Sequence, residues 1–136
     1  MSVQLSASML QQDSDSRPYW EGLAQGELRI QRCDVCARPV FYPRSICPHC
    51  FSEQLSWFVA SGKGTIYSYT VAHQAFGPFA AEIPFIVAIV ELEEGVKMMT
   101  RIIDAPREGI HIGLPVQVSF TTVGENFILP YFRLAE

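Results

Sequence analysis

Two pairs of cysteines constrain this chain more than any other feature. Cys33 and Cys36 form one C-x-x-C pair, and Cys47 and Cys50 form a second pair after ten intervening residues. Each pair makes a tight turn that aims two sulfur atoms at one point, and two such turns place four thiolates at the corners of a tetrahedron. We therefore predict that the four cysteines bind one structural zinc ion. No position is left on that ion for water or substrate.

Other interpretations of the cysteines stay open. The Cys47–Cys50 motif on its own resembles a redox dithiol, which requires a helix directly after the motif. Residues 51–54 are a weak helix start, so this interpretation is disfavoured. A four-cysteine site also accepts iron, and two disulfides are the remaining alternative. We interpret His49, which lies between two ligands, as a solvent-facing spacer.

The composition supports a folded, acidic protein. The 136 residues are 49% hydrophobic and 18% charged, which is enough apolar material for a core. The formal net charge is −4, and four thiolates on one Zn²⁺ add −4 + 2 = −2, giving −6. This charge disfavours binding to nucleic-acid phosphates. No apolar run reaches the roughly 18 residues of a membrane span, and residues 1–16 carry no basic residue of a secretory signal. The sequence predicts a cytoplasmic protein.

One short helix is predicted near the N-terminus. Residues 1–15 are rich in Ser, Gln and Asp, and we predict that they form a loose tail. Ser16 can cap a helix that has Pro18 in its first turn and that ends at Gly26.

The apolar face of this helix allows two interpretations. Tyr19, Trp20 and Leu23 fall on one side of it. The ordinary interpretation is that this face packs on its own domain. The alternative is that it docks on a partner protein, because Trp and Tyr are enriched at interfaces. We predict Tyr19, Trp20 and Leu23 as partner-docking residues on the second interpretation.

Alternating apolar and polar residues predict short β-strands along most of the remaining chain. Two strands flank the first cysteine pair, and about five more follow, which is typical of a small closed β-barrel. The predicted strands are 28–32, 40–42, 65–72, 85–92, 96–103, 115–122 and 127–134, and residues 57–60 lead into a turn or bulge at 61–64. The fold class is therefore mainly β, with a tail and helix (1–26), a small zinc-binding β module (27–55) and a closed five-stranded β-barrel (56–136).

The sequence contains no recognisable catalytic motif. His73 and His111 lie near strand ends, and neither is accompanied by a nucleophile motif or a phosphate-binding loop. A dispersed acid–base pair of His73 with Glu82 or Asp104 stays open. We expect both histidines to have structural roles.

The order of these parts resembles a known family. The segments are P-Y-W-E-G-L from Pro18, the two C-x-x-C pairs, G-T-I-Y-S-Y-T-V from Gly64, P-F-I-V-A-I-V-E-L from Pro84 and I-G-L-P-V-Q-V from Ile112. Together they resemble the proteins that join a rubredoxin-like zinc ribbon to an OB-fold and accompany thiolases. The resemblance covers residues 18–134, and it implies that residues 27–55 form a zinc ribbon and that residues 56–136 form a five-stranded OB-fold barrel.

The resemblance implies a non-catalytic accessory subunit of a thiolase-like, aldolase or hydratase complex that handles acyl-CoA. It implies a thiolase-like partner subunit and an OB-fold that takes part in acyl-CoA binding. No CoA-binding motif of the family is specific enough to assign contact residues in this chain, so the candidates are chosen by their positive charge or aromatic character. The candidate CoA-binding residues are Arg44, Lys63, Phe76, Phe79 and Arg101.

Two other function classes compete with this one. Zinc ribbons and OB-folds also bind single-stranded nucleic acid, which requires a cationic groove with stacking aromatic residues. Residues 61–136 contain 5 basic and 8 acidic residues, so the barrel has the wrong sign of charge. The third class is an enzyme that acts without a partner, and the sequence contains no recognisable catalytic motif to support it.

Overall fold

The computed structural model describes residues 16–75, 77–123 and 127–135. The predicted fold class is confirmed, since the chain forms one α-helix and eight β-strands within these ranges. The helix is α1 (Arg17–Ala24), and the strands are β1 (Arg29–Cys33), β2 (Pro39–Val40), β3 (Leu55–Val59), β4 (Lys63–Ala72), β5 (Phe85–Leu92), β6 (Lys97–Ile102), β7 (Pro115–Val123) and β8 (Phe127–Leu134). Two 3₁₀ helices, Gly77–Glu82 and Arg107–Gly109, lie in loops.

The ribbon is a three-stranded antiparallel sheet in the order β2-β1-β3. Both cysteine pairs lie at one end of this sheet, because β1 ends at Cys33. The third strand pairs with β1 from Arg29↔Val59 to Cys33↔Leu55. This strand therefore crosses the predicted boundary between residues 55 and 56 and adds residues 56–59 to the ribbon sheet.

The second unit is a closed barrel in the order β4-β5-β6-β8-β7, with β7 pairing back onto β4. This is the strand order 1-2-3-5-4 of an OB-fold. A register shift between Ile66 and Ser68 bends β4, which pairs with β5 from Gly64 to Ala72 and with β7 at its start, from Lys63 to Thr65. Gly62, just before β4, has φ +80°, and an added Cβ would clash with Val118 of β7. Glycine is required where the chain enters the barrel.

The barrel core follows from the alternation in β5 and β6. Ile86, Ala88, Val90 and Leu92 point inward on β5, while the residues between them face outward. Phe132 of β8 is fully buried in the same core. A turn at residues 93–95 joins β5 to β6.

Helix α1 and the ribbon sheet pack against this barrel core. Leu23 of α1 and Leu28 and Ile30 of the ribbon belong to the same cluster of buried residues as the barrel interior. The knuckle end of the ribbon has its own small cluster of Cys33, Val40 and Cys47. No helix among the described residues has the length and apolar character needed to cross a bilayer.

Candidate metal centre and neighbouring grooves

Each cysteine pair forms the same tight turn, called a knuckle here (residues 33–38 and 47–52). The backbone N–H of Ala37 donates to the carbonyl of Cys33 at 2.9 Å, and the N–H of Phe51 donates to the carbonyl of Cys47 at 2.9 Å. Ala37 and Phe51 both have positive φ, at 65° and 67°. The chain enters the left-handed region directly after the second cysteine of each pair, which returns the backbone past the sulfur atoms.

The four sulfur atoms lie at the spacing of one tetrahedral metal site. The Sγ atoms of Cys33 and Cys50 are 3.5 Å apart, and those of Cys36 and Cys47 are 3.7 Å apart. All four sulfurs lie within 4.8 Å of one another. Metal–sulfur bonds of about 2.3 Å in a tetrahedron require sulfur–sulfur distances of about 3.8 Å. The donor set and its geometry therefore fit a thiolate-bound metal ion.

Backbone N–H groups donate hydrogen bonds to two of the sulfur atoms, and these bonds stabilise the thiolate form. Val35 and Cys36 each donate an N–H to the Sγ of Cys33 at 3.4 Å, and His49 donates to the Sγ of Cys47 at 3.4 Å. The N–H of Cys36 is the main cause that lowers the pKa of Cys33 to about 6. Such donors stabilise the thiolate form, which is the form that binds metals.

The fourth thiol shows why a cation is needed. The N–H of Ser52 lowers the pKa of Cys50, but the neighbouring Cys33 and burial outweigh it and raise the pKa to about 12. A thiolate beside another thiolate is unfavourable without a compensating charge. A divalent metal ion removes this repulsion and deprotonates all four thiols.

The competing interpretations of the cysteines receive less support from this geometry. All four cysteines are free, so the knuckles form without disulfides. Residues 48–50 form a turn and residues 51–54 are not helical, so the second pair lacks the helix of a thioredoxin-like redox site. His49 is exposed and its ring lies 3.4 Å from Arg38, which agrees with its interpretation as a spacer.

The other two histidines do not form an acid–base pair in the described residues. His73 and His111 are both exposed, and the ring of His111 contacts the carbonyl of its own neighbour, Ile112, at 3.1 Å. Glu82, a candidate partner of His73, instead forms a salt bridge with Arg101.

The apolar face of α1 is covered by its own chain. Tyr19 is 8% exposed and Leu23 is 1% exposed, and Trp20 packs partly buried against the same core. The ring of Tyr19 lies 5.7 Å from that of Phe41 in the ribbon. The structure corrects the docking prediction for Tyr19 and Leu23, because neither side chain is available to a partner. The ordinary interpretation of this face accounts for both, and Trp20 stays a prediction.

An aromatic series continues from this helix to the barrel. Phe41 contacts Tyr42 with ring centroids 4.2 Å apart, and the hydroxyl of Tyr42 accepts a hydrogen bond from the N–H of Met99 in β6 at 3.1 Å. Burial, and secondly the proximity of Tyr42, raises the pKa of Tyr19. Tyr19 therefore stays neutral in the seam between the ribbon and the barrel.

The four described residues among those predicted to contact CoA do not form one site. Arg44 lies in the ribbon, where the buried side chain of Gln31 binds its backbone N–H at 2.8 Å and its carbonyl at 2.9 Å. Lys63 begins β4 and pairs with Gln117 of β7. Phe76 lies outside the described residues.

The remaining two predicted CoA contacts lie on another side of the barrel. Phe79 is half-buried in the 3₁₀ helix Gly77–Glu82, in the loop between β4 and β5. Arg101 lies near the end of β6 and binds Glu82 of that same helix at 2.5 Å. Lys63, by contrast, lies beside the turn that precedes β6, where the N–H of Glu93 donates to its carbonyl.

Sequence reasoning missed three features of these sites. The buried amide of Gln31 and the ion pair of Arg101 with Glu82 join residues 13 and 19 positions apart, and no local pattern marks such contacts. The positive φ of Ala37 and Phe51 does have a signal, namely their position directly after the second cysteine of each pair.

Comparisons with known proteins agree with both units of the fold. A family model described as the rubredoxin-like zinc ribbon domain of ChsH2 matches residues 20–56. A second model, the C-terminal OB-fold domain of ChsH2, matches residues 57–121. A solved chain titled "Ltp2-ChsH2(DUF35) aldolase" superposes with a TM-score of 0.82 at 36% identity, covering 91% of this chain and 97% of that chain.

Two curated relatives are similar along most of this chain. A "DUF35 domain-containing scaffold protein" of Methanothermobacter thermautotrophicus is 38% identical over 117 residues, which is 82% of this chain and 88% of the relative. A "Probable enoyl-CoA hydratase alpha subunit" of Thermomonospora curvata is 38% identical over 121 residues, 89% of this chain. The chain spans only 38% of the length of that hydratase subunit.

Proposed function

Because this chain belongs to the ChsH2-type family of DUF35 proteins, which join a rubredoxin-like zinc ribbon to an OB-fold, we propose that it is a non-catalytic subunit of an acyl-CoA enzyme complex. Three kinds of name among its relatives support this role: a scaffold protein, an aldolase with two named components and a hydratase subunit. A scaffold or accessory subunit is the role that these names share.

The closed four-thiol site is the observation that carries the proposal. Catalytic metal sites keep a position open for water or substrate, whereas four thiolates fill the tetrahedron. In the described ranges, the exposed histidines also have no nucleophile or acid within hydrogen-bonding reach. The chain therefore offers a partner enzyme a rigid shape and binding surfaces, while the partner supplies the reacting groups.

We assign zinc to the site, held by Cys33, Cys36, Cys47 and Cys50. Four thiolates in a tetrahedron suit Zn²⁺, which has no redox chemistry and no geometric preference of its own. Bound zinc would supply folding energy to the knuckles. Iron suits the same donors, and the metal content of the purified protein distinguishes the two.

The partner we propose is a thiolase-like, aldolase or hydratase subunit, with acyl-CoA as the ligand of the complex. The contacts of Arg44, Lys63, Phe79 and Arg101 with CoA stay predictions. They lie on separate parts of the surface, so each requires its own test. Nucleic acid is a poorer ligand for the OB-fold face of β5 and β6, because Lys97 and Arg101 on that face are each paired with a carboxylate.

The test compares the chain alone with the chain in its complex. The tagged chain is purified from its native host, the co-purifying subunit is identified, and the two are reconstituted from separately produced proteins. Thiolysis of acetoacetyl-CoA, aldol cleavage and hydration of crotonyl-CoA are measured for each protein and for the complex. We expect no turnover by this chain and turnover by the complex. Turnover by the isolated chain, or a stable partner with no CoA chemistry, would contradict the proposal.

A further inference from the structure

Strand β6 carries two outward-facing cations, each paired with an acid and stacked on an aromatic ring. Lys97 lies 3.9 Å from Glu91, with its ammonium 4.4 Å from the ring centre of Tyr67. Arg101 lies 2.5 Å from Glu82, with its guanidinium 4.4 Å from the ring centre of Phe85. The two arrangements use the same chemistry, but their surroundings differ.

The Arg101 pair is much less exposed than the Lys97 pair. The side chains of Arg101 and Glu82 are 18% and 27% exposed, whereas those of Lys97 and Glu91 are both 46% exposed. Tyr131 of β8 adds a second ring at 5.6 Å from the Arg101 guanidinium. The two rings restrict the guanidinium, so less side-chain entropy is lost when it binds an anion.

Arg101 also lines a groove that Lys97 does not reach. The groove has a volume of about 470 Å³, within the range of small-molecule sites, and lies between the start of β5 and the loop after β6. One part of its lining is apolar, and the other carries charges of both signs. The apolar part includes Pro84, Phe85, Ile86, Ala105 and Pro106, and the charged part is Arg101, Asp104, Arg107 and Glu108.

The only acid within salt-bridge distance of Arg101, among the described residues, is Glu82. Glu82 is the last residue of the 3₁₀ helix Gly77–Glu82, in the loop between β4 and β5. Short 3₁₀ segments have poorer hydrogen-bond geometry than α-helices. The counterion of Arg101 is thus carried by a short loop segment, while the arginine lies on a barrel strand.

We propose that this groove binds a small anion with an apolar tail, and that the anionic head group replaces Glu82 as the partner of Arg101. Arg101 would bind the head group, and the apolar wall would bind the tail. The lining carries two acids, Asp104 and Glu108, as well as its two cations, which favours a head group of low charge. A polyphosphate would be repelled by these acids.

This inference stands independently of the proposed function, because the isolated chain is sufficient to test it. The probes are octanoate and octyl phosphate, which share a tail and differ in head group. Octanol is the neutral control, and inorganic phosphate is the control without a tail. Binding is measured by calorimetry and by chemical-shift changes in a two-dimensional amide spectrum.

Three variants separate a binding site from a structural ion pair. Arg101→Gln removes the head-group donor, and we expect at least about tenfold weaker octanoate binding. Glu82→Gln removes the competing carboxylate, and we expect roughly fivefold tighter binding, since the fraction of chains with an unpaired Arg101 rises. Lys97→Gln is the matched control on the same strand and should leave the affinity unchanged.

Whether Glu82→Gln raises or lowers the affinity for octanoate distinguishes a binding site from a structural ion pair, even if Arg101→Gln fails to fold. Tighter octanoate binding by Glu82→Gln, with shifts at Phe85 and Asp104, supports the site. Weaker or unchanged binding by Glu82→Gln overturns it, as does equal binding of octanol and octanoate. A preference for octanoate over octyl phosphate, or the reverse, identifies the head group.

Discussion

The knuckle end of the ribbon and the interior of the barrel are held together in different ways. The knuckle end has a buried cluster of only Cys33, Val40 and Cys47, with Cys36 and Leu55 partly buried beside it. The barrel and the seam share a cluster of sixteen buried residues, from Tyr19 to Phe132. At roughly 25 cal/mol per Å² of buried apolar surface, only the second cluster can stabilise a fold by burial. We expect the first to depend on a metal ion bound by the four cysteines.

The boundary between the metal-dependent region and the region stabilised by apolar burial lies within the ribbon. Leu28 and Ile30 of β1 belong to the large core, whereas Cys33, at the end of the same strand, belongs to the metal end. One face of the ribbon sheet is therefore anchored to the barrel by burial. Metal loss should disorder the knuckles without releasing the sheet from the barrel.

Removing a metal ligand should have the largest effect. Structural zinc contributes about 10–16 kcal/mol of apparent binding free energy in zinc-finger peptides, so Cys47→Ser should abolish stoichiometric zinc and unfold both knuckles. Zinc per chain is measured by atomic emission, and local order by the amide spectrum. The control His49→Ser changes a residue of the same turn that is not a ligand, and should keep one zinc per chain. Simultaneous loss of all barrel signals in Cys47→Ser would contradict the division into these two regions.

Emptying the barrel core should have the next largest effect. Phe132 is fully buried, and removal of a buried Phe side chain costs about 3–5 kcal/mol through lost burial and a cavity. Phe132→Ala should lower the free energy of unfolding by that amount in urea titrations while zinc still binds the residual native protein. Ile112→Ala, at a position that is 67% exposed, should change it by less than about 0.5 kcal/mol. An equal loss in the two variants would contradict the burial account.

The buried amide of Gln31 lies in β1, between the metal-dependent knuckles and the part of the ribbon that packs on the barrel. Its side chain satisfies both the N–H and the carbonyl of Arg44, and it is 4% exposed. Gln31→Leu should cost about 1–3 kcal/mol, because two backbone groups lose their partner. The readouts are urea unfolding and the amide signal of Arg44. Gln117→Leu, on the exposed face of β7, is the control and should be nearly neutral.

Local chemistry explains which features the sequence could predict. The cluster of the four cysteines was predictable because C-x-x-C spacing fixes both knuckles within a few residues. The barrel strands were predictable because alternation reports which residues of a strand face inward, as in Ile86 to Leu92. The apolar face of α1 showed only that Tyr19 and Leu23 are covered, and not by which surface. Burial by the same chain or by a partner gives the same periodicity.

Contacts between distant segments could not be predicted in the same way. Strand β3 pairs with β1 across 20 or more residues of sequence, and no local pattern fixes that register. Residues 57–60 could therefore be interpreted equally well as the start of the barrel. Arg101 and Glu82 are 19 residues apart, and each on its own looks like a surface charge. The groove beside them exists only once β6 and the following loop are placed against β5.

The smallest expected effect is a gain in stability at the knuckles. Phe51 and Ala37 follow the second cysteine of each pair with φ of 67° and 65°, where a side chain costs about 1–2 kcal/mol. Glycine removes this strain but loses about 0.5–1 kcal/mol of additional chain entropy on folding. The difference leaves a net stabilisation of roughly 0.5–1 kcal/mol for Phe51→Gly and for Ala37→Gly. Because the strain lies in the knuckles, the gain should appear as about two- to fivefold tighter zinc binding in competition with a chelator.

The two glycine variants control for each other. They relieve nearly the same strain, but Phe51 is 78% exposed and Ala37 has almost no side chain to lose. Equal gains would show that the Phe51 ring makes no contribution to the isolated chain, so that strain alone sets the effect. A smaller gain for Phe51→Gly would show that its ring stabilises the knuckle. If neither variant tightens zinc binding while the barrel unfolding curve shifts, the knuckles would not be an independent metal-dependent region, and the comparison between ribbon and barrel would fail at its foundation.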